Sequence, residues 1–138
     1  MSVNSKQYLS IQEANKLVPV FKKSFRRIYQ MNAHIQQLIT PLKQNKIDPH
    51  IDDLSILEAF DEPTVDAITS IKVLLSAIQN EVDRIHNAGA QVKSIEKGLI
   101  NIPHQHLNRT VFLCWKVGDS SINYWLEKNS TFHCRKPI

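Results

Sequence analysis

Residues 62–89 decide the fold, because the stretch EPTVDAITSIKVLLSAIQNEVDRIHNAG has the clearest apolar periodicity in the chain. Its apolar residues recur at alternating steps of three and four, which is the a/d heptad pattern of a helix that packs on a partner helix. The series consists of Ile68, Ile71, Leu75, Ile78, Val82 and Ile85. Pro63 suits a first helical turn, Asp61 or Glu62 suits the cap before it, and Gly89 suits the stop, so a helix is predicted over residues 63–88.

A partner helix is predicted over residues 10–44. Ser10 and Glu13 have the spacing of a capping box, in which each side chain bonds a backbone N–H of the same turn. A heptad series broken only at Ser24 follows, made of Ala14, Leu17, Phe21, Ile28, Met31, Ile35, Leu38 and Leu42. Pro19 removes a helical hydrogen bond, so a kink or a separate short first helix is expected near it. The two helices are predicted to pair as a long antiparallel, coiled-coil-like hairpin.

The segments before and after the second helix differ from it in composition and in apolar period. Residues 45–62 form an acidic connector with one apolar cluster, Leu54, Ile56, Leu57 and Phe60, which we interpret as a short helix or a tucked loop. After Gly89 the apolar period shortens towards two, which predicts a small antiparallel sheet over residues 90–128 with a hairpin turn at Gly118-Asp119. Its predicted strands are residues 91–94, 98–102, 110–117 and 121–127, and residues 129–138 are expected to cross its surface. The predicted fold class is therefore α+β and helix-dominated, in a single domain of residues 1–138.

Composition limits the class of protein. A chain of 138 residues with 42% hydrophobic residues can bury a core without disulfides or metal. No run of 18 apolar residues and no N-terminal apolar region occurs, so we expect a cytoplasmic protein without a membrane segment. Cys114 and Cys134 suit a reducing compartment, although a count of two leaves one bridge open.

Charge is unevenly distributed along the chain. Residues 1–46 hold eight Lys/Arg and one acid, residues 47–71 hold seven acids and no Lys/Arg, and residues 72–138 hold nine and five. The acidic block can attract the neighbouring Lys43 and Lys46 or a basic face of another copy. The basic and aromatic run from Phe21 to Tyr29 suggests nucleic-acid binding through Lys22, Lys23, Arg26 and Arg27, but these cations equally fit an ordinary solvated helix face.

Two further constellations could carry chemistry. His104 and His106, one residue apart in a predicted loop, could join His133 and Cys134 as zinc ligands, although the spacing lacks two separated ligand pairs. Cys114 could act as a nucleophile beside a histidine, but its place in a predicted strand favours a buried, inert thiol. No catalytic residue and no cofactor is predicted.

Aromatic and basic residues gather towards the end of the chain. Trp115, Tyr124, Trp125 and Phe132 accompany Arg109, Lys116 and Arg135, a combination that can line a pocket for an anionic or planar ligand or simply cap the sheet.

Several of these residues resemble a known family. The strings Glu13 to Pro19, Gly98 to Pro103 and Leu113 to Asp119, followed by Tyr124-Trp125, Phe132, Arg135 and Pro137, are similar to the signature of DUF2203, a family of small prokaryotic proteins of unknown function. The resemblance runs almost end to end and brings no activity with it. The chain departs from the family pattern at Asn101, Ile102, Asp119 and Leu126, where an Asp-Phe pair, a Glu and a His are expected.

Three functions follow as hypotheses, in this order. The first is an interaction or scaffold module that self-associates as a homodimer, or binds another protein, through leftover apolar helix surface at Val20, Phe25, Val73 and Leu74. The second is a ligand-binding protein or unrecognised enzyme that uses Asn15, Arg109, Trp115, Trp125 and Arg135. The third is nucleic-acid binding through the basic helix face.

Overall fold

A computed structural model describes residues 8–51, 56 and 59–138 of the chain. The fold is α+β, with two long helices and a five-stranded antiparallel sheet towards the C-terminus. Two compact units are present: the sheet unit, Met1–Phe25 with Val82–Ile138, and the helical unit, Arg26–Glu81. Two of the four residues of the predicted apolar cluster in the acidic connector, Leu54 and Leu57, lie outside the described residues.

Three α-helices lie wholly within the described residues, namely α1 (Ile11–Lys16), α2 (Val18–Gln44) and α3 (Glu62–Asn87). The predicted capping box is present, since Glu13 N donates to Ser10 Oγ at 3.0 Å and Ser10 N donates to Glu13 Oε1 at 2.9 Å. Leu17 separates α1 from α2, which places Pro19 in the first turn of α2, where its missing N–H leaves no helical carbonyl without a partner. Asp61 caps α3, because its Oδ1 accepts from Thr64 N at 2.9 Å, and hydrogen bonds from the Thr64 side chain and backbone lower the pKa of the Asp61 carboxyl.

In the helical unit, residues of α2 and α3 share one apolar core. Its buried members are Ile35, Ile39, Leu42, Ile68 and Ile71. The heptad prediction fails at Leu75, which is 40% exposed although the a/d series places it on the seam. Ile39, which that series leaves out, is buried instead. Leu75 and Ile39 therefore depart from a strict seven-residue repeat, whereas Ile35 and Leu42 keep it.

The sheet runs in the order β1 (Gln91–Ser94), β2 (Leu99–His106), β3 (Arg109–Lys116), β4 (Tyr124–Glu127) and β5 (Lys136–Pro137). β2 is longer than predicted and carries Pro103, which does not disturb the pairing with β1 because β1 reaches only as far as Asn101. Leu107 and Asn108 form the β2–β3 turn with φ of 50° and 64°. The fifth strand is missed by the sequence prediction, since a two-residue strand that ends in proline has no periodic signal.

Alternation along the strands gives the sheet two different faces. The helix-side face carries Ile100, Ile102, Leu113 and Trp115, which share a core with Ala14, Val18, Phe21, Phe25 and Ile85. The tail-side face carries Asn101, Cys114 and Tyr124, which lie opposite one another on β2, β3 and β4. Residues 132–135 contact this second face, where the Arg135 guanidinium lies over the Tyr124 ring.

Candidate functional site

A pocket of about 220 Å³ lies in the sheet unit beside the helix-side face. Most of its wall is apolar, and two imidazoles complete it. The lining residues are Ile11, His104, His106, Val111, Leu113, Trp125 and Ile138. An apolar cavity with a few polar groups at defined positions is the usual form of a small-ligand site.

The two pocket histidines lie on a strand, so their prediction as loop residues is wrong. His104 and His106 are two positions apart on β2, so they face the same side of the sheet, and their ring centroids are 6.5 Å apart. His104 Nδ1 is 2.8 Å from the backbone oxygen of Leu9. Because a carbonyl oxygen only accepts, Nδ1 must carry the proton, and in the neutral ring Nε2 is then an acceptor.

Charged side chains surround Trp125 at one side of the pocket. Arg109 donates two hydrogen bonds to Glu127, at 3.1 and 3.0 Å, and Lys136 Nζ is 3.8 Å from the same carboxylate. The Arg109 guanidinium carbon and Lys136 Nζ lie 5.8 and 5.1 Å from the centroid of the Trp125 ring. Two cations against one carboxylate leave this rim with a net positive charge, which favours an anionic group on a ligand.

Two of the predicted ligand-binding residues instead hold the sheet unit together. Trp115 is 1% exposed, lies 5.5 Å from the Phe21 ring and 6.0 Å from the Phe25 ring, and donates from Nε1 to Asp119 O at 2.9 Å. Asn15 links α1 to the chain before β4, since its Oδ1 accepts from Ile122 N at 2.7 Å. Its Nδ2 donates to Ile11 O at 3.1 Å, so both ends of the amide are engaged.

Arg135 lies on the tail-side face, away from the pocket. Its guanidinium carbon is 4.1 Å from the ring centroids of both Tyr124 and Phe132. The five predicted ligand-binding residues are therefore divided between the pocket rim, the core and the opposite sheet face. The prediction groups four of them because they are near one another in sequence, and Asn15 because it belongs to a family-like motif, whereas strand alternation separates Trp125 from Arg135.

Cys114 is buried on the tail-side face, and its thiol lies 3.8 Å from Asn101 Oδ1. Burial raises the pKa of this thiol to about 12, against a smaller lowering by Arg135 and with a further increase from Asp119. A thiolate is the reactive species, so Cys114 is an inert thiol near neutral pH.

The four predicted zinc ligands do not form one cluster. His133 and Cys134 lie in the 3₁₀ helix Phe132–Cys134 and are exposed, whereas His104 and His106 line the pocket. In the parts of the chain that the structure describes, no group of three His, Cys, Asp or Glu side chains is arranged to hold a metal ion.

The predicted basic residues of α2 differ in their surroundings. In the sheet unit, Lys22 and Lys23 are exposed. In the helical unit, Arg26 is exposed, and Arg27 Nη1 is 3.4 Å from Glu81 Oε2. Nucleic-acid binding through these side chains stays a prediction.

Sequence reasoning misses the apolar wall of the pocket. Val111 and Leu113 are two positions apart on β3, which places them on one face of the sheet but does not show that a cavity remains there. Ile11 and Ile138 come from opposite ends of the chain, so only the folded structure brings them together.

Comparison with protein families identifies the chain. The model of the uncharacterised conserved protein family DUF2203 matches residues 7–138. The chain belongs to DUF2203. Neither the curated proteins nor the solved structures contain a significant match.

Three of the positions at which the sequence is expected to depart from the DUF2203 pattern have clear structural roles. Asn101 accepts from the Cys114 thiol, Asp119 Oδ2 accepts from Lys116 N at 3.0 Å, and Leu126 is a buried apolar side chain on the tail-side face.

Among the described residues, no helix has the length and apolar character needed to span a bilayer.

Proposed function

We propose that this DUF2203 protein binds a small, planar, mostly apolar ligand that carries one carboxylate. The observation behind the proposal is the pocket of about 220 Å³ with an apolar wall that includes the Trp125 ring. This volume is below the roughly 300–1,000 Å³ of sites for drug-sized ligands, so the ligand is expected to be small.

Ligand polarity follows from the groups around the wall. The apolar side chains favour a hydrocarbon or aromatic body, and burial of that body supplies about 25 cal/mol per Å² of apolar surface. Arg109 and Lys136 outnumber Glu127 at the rim, which favours a carboxylate there. His104 and His106 add imidazole groups that can exchange hydrogen bonds with the ligand.

Benzoate is a suitable first probe, and its neutral analogue benzyl alcohol is the matched comparison. Ligand-observed NMR is expected to show saturable benzoate binding that Trp125→Ala weakens by at least about tenfold, because the ring supplies much of the apolar contact. Arg109→Gln is expected to weaken benzoate and leave benzyl alcohol unchanged, since it exposes the ligand carboxylate to Glu127.

Tyr29→Ala, which removes an exposed aromatic ring in the helical unit, is the control and should leave both affinities unchanged. Circular dichroism melting shows whether each variant folds. Equal benzoate affinity in wild-type protein and in folded Trp125→Ala would exclude the pocket as the ligand site.

We also propose self-association as a second function, supported by exposed apolar side chains on α3 in the helical unit. Val73 is 64% exposed and, with Ala77, lines a shallow groove. Phe25 does not belong to such a surface, because it is 1% exposed in the core of the sheet unit. Leu74 packs against the core of the helical unit.

An antiparallel, coiled-coil-like hairpin is the architecture proposed to present that surface. Within the helical unit, the last turns of α2 and the first turn of α3 line one groove together, as Leu38, Leu42, Pro63 and Ala67 show. A helix end beside the start of the next helix is typical of antiparallel pairing.

Light scattering after size exclusion tests self-association. The wild-type protein is expected to have the mass of a dimer and Val73→Asp that of a monomer, because a buried, unpaired carboxylate opposes association. Gln36→Glu, an equal change of charge at an exposed position of α2 outside that groove, should remain dimeric. A monomeric wild-type protein at high concentration contradicts the proposal.

A further inference from the structure

We propose that the tail-side face holds a second binding site, for an oxyanion, centred on the guanidinium of Arg135. The site is independent of the pocket, since it lies on the opposite side of the sheet. Arg135, Lys116, Tyr124 and Phe132 form it.

Two aromatic rings hold the guanidinium in place. Its carbon lies 4.1 Å from the centroids of Tyr124 on β4 and Phe132 in the 3₁₀ helix, so it is in contact with both. Such contacts restrict the rotation of a long side chain and lower the entropy lost when a ligand binds. Recognition is then left to the N–H edges of the group, which suit the paired oxygens of a carboxylate or a phosphate.

One of those N–H groups points to an absent acceptor. Arg135 Nη1 is buried and has no hydrogen-bond partner. An unsatisfied buried donor costs about 1–3 kcal/mol, and more when it is charged, so buried donors are nearly always paired in folded proteins. Because Nη1 has almost no accessible surface, the surrounding side chains must move slightly for a ligand oxygen to reach it, and the hydrogen bond then formed removes that cost.

A second cation adds to the positive charge at this place. Lys116 Nζ lies 5.6 Å from the centroid of the same Phe132 ring that Arg135 contacts. Within the described ranges, no carboxylate is at ion-pairing distance from Arg135 or Lys116. Two cations at one ring without a carboxylate partner favour a bound anion.

Acceptors of the chain itself are already used nearby. Asp119 Oδ2 accepts from Lys116 N at 3.0 Å, and Asp119 O accepts from Trp115 Nε1 at 2.9 Å. Asn101 Oδ1 lies 3.8 Å from the Cys114 thiol. Neither residue bonds Arg135 Nη1, so the proposed acceptor is an oxygen of a bound ligand.

Titration with two simple ions tests the site and separates the two sources of oxyanion. Sodium phosphate and sodium acetate are added at constant ionic strength, and amide shifts of ¹⁵N-labelled protein are followed by NMR. Saturable shifts are expected at Lys116, Tyr124 and Arg135 with at least one of the ions. A stronger response to phosphate identifies a phosphate-bearing ligand, and a stronger response to acetate identifies a carboxylate.

Variants connect the response to the named side chains. Arg135→Lys keeps the charge but loses the paired N–H edges and should weaken binding by at least about tenfold. Lys116→Gln should weaken anion binding by a smaller factor, because it removes one cation and leaves the stacked Arg135 in place. This second variant still tests the site if Arg135→Lys is unstable. Lys93→Gln on β1 and Arg109→Gln at the pocket should leave it unchanged.

The proposal is overturned if neither ion gives saturable shifts, because no oxyanion then binds at Arg135. It is equally overturned if folded Arg135→Lys and Lys116→Gln both retain wild-type affinity. Because Arg109→Gln affects the pocket alone, failure of the pocket and failure of the oxyanion site are distinguishable.

Discussion

Replacing Trp115 with alanine is expected to lower the free energy of unfolding by about 3–5 kcal/mol, the cost of removing a large buried aromatic side chain. The indole lies in the core of the sheet unit between β3 and the start of α2, against the Phe21 and Phe25 rings. Its removal leaves a cavity there and deprives the Asp119 carbonyl of its hydrogen bond from Nε1.

Urea denaturation followed by far-UV circular dichroism measures this effect. Trp115→Phe is the matched control, since it retains the ring packing and loses the indole hydrogen bond, for an expected cost nearer 1 kcal/mol. A loss below about 1 kcal/mol in Trp115→Ala would show that Trp115 does not carry the packing of the sheet unit.

Unfolding stability is expected to fall steeply with rising pH between about 9 and 12 because of Cys114. Burial raises the pKa of its thiol from 9.0 to about 12, so in this window the unfolded chain releases the thiol proton while the folded chain keeps it. The contribution of the protonated Cys114 thiol to the free energy of unfolding is fully present below pH 9. Above pH 9 the free energy of unfolding decreases by about 1.4 kcal/mol for each pH unit, up to about pH 12.

The difference between wild-type protein and Cys114→Ala isolates this effect from other groups that titrate in alkali. The variant is expected to be less stable at pH 7 and to lose less stability between pH 9 and 11. Cys134→Ala is the control, since Cys134 is exposed and its removal should leave the wild-type slope. If the free energy of unfolding decreased with pH equally in all three proteins, Cys114 would be accessible to solvent in the folded state.

The same burial predicts unequal thiol reactivity. At pH 8 a thiol reagent should react quickly with Cys134 and slowly with Cys114. This can be read from the same two variants and requires no further protein.

Local patterns predict the elements of the fold well. The capping box at Ser10 and Glu13, the cap at Asp61 and strand β1 lie where the sequence places them, because they depend on residues within a few positions of one another. The heptad prediction at Leu75 is wrong, because the register of a helix face is decided by what packs on it.

The candidate sites could be predicted only in part. Residue types indicate aromatic and cationic chemistry towards the C-terminus, and Trp125, Arg109 and Arg135 belong to the two sites proposed above. The pairing register of the strands decides which sheet face each of these side chains occupies. The sequence of β5 is too short to predict its register against β4.

By itself the sequence determines the α+β class, the DUF2203 family and the order of helices and strands, because each follows from periodicity, capping and motifs read along the chain. Tertiary structure alone decides that Trp115 and Asn15 hold the core, that Ile11 and Ile138 close a pocket, and that Arg135 has a buried donor without an acceptor. The reason is physical: burial and hydrogen-bond satisfaction depend on residues distant in sequence, which only the packed chain brings within contact.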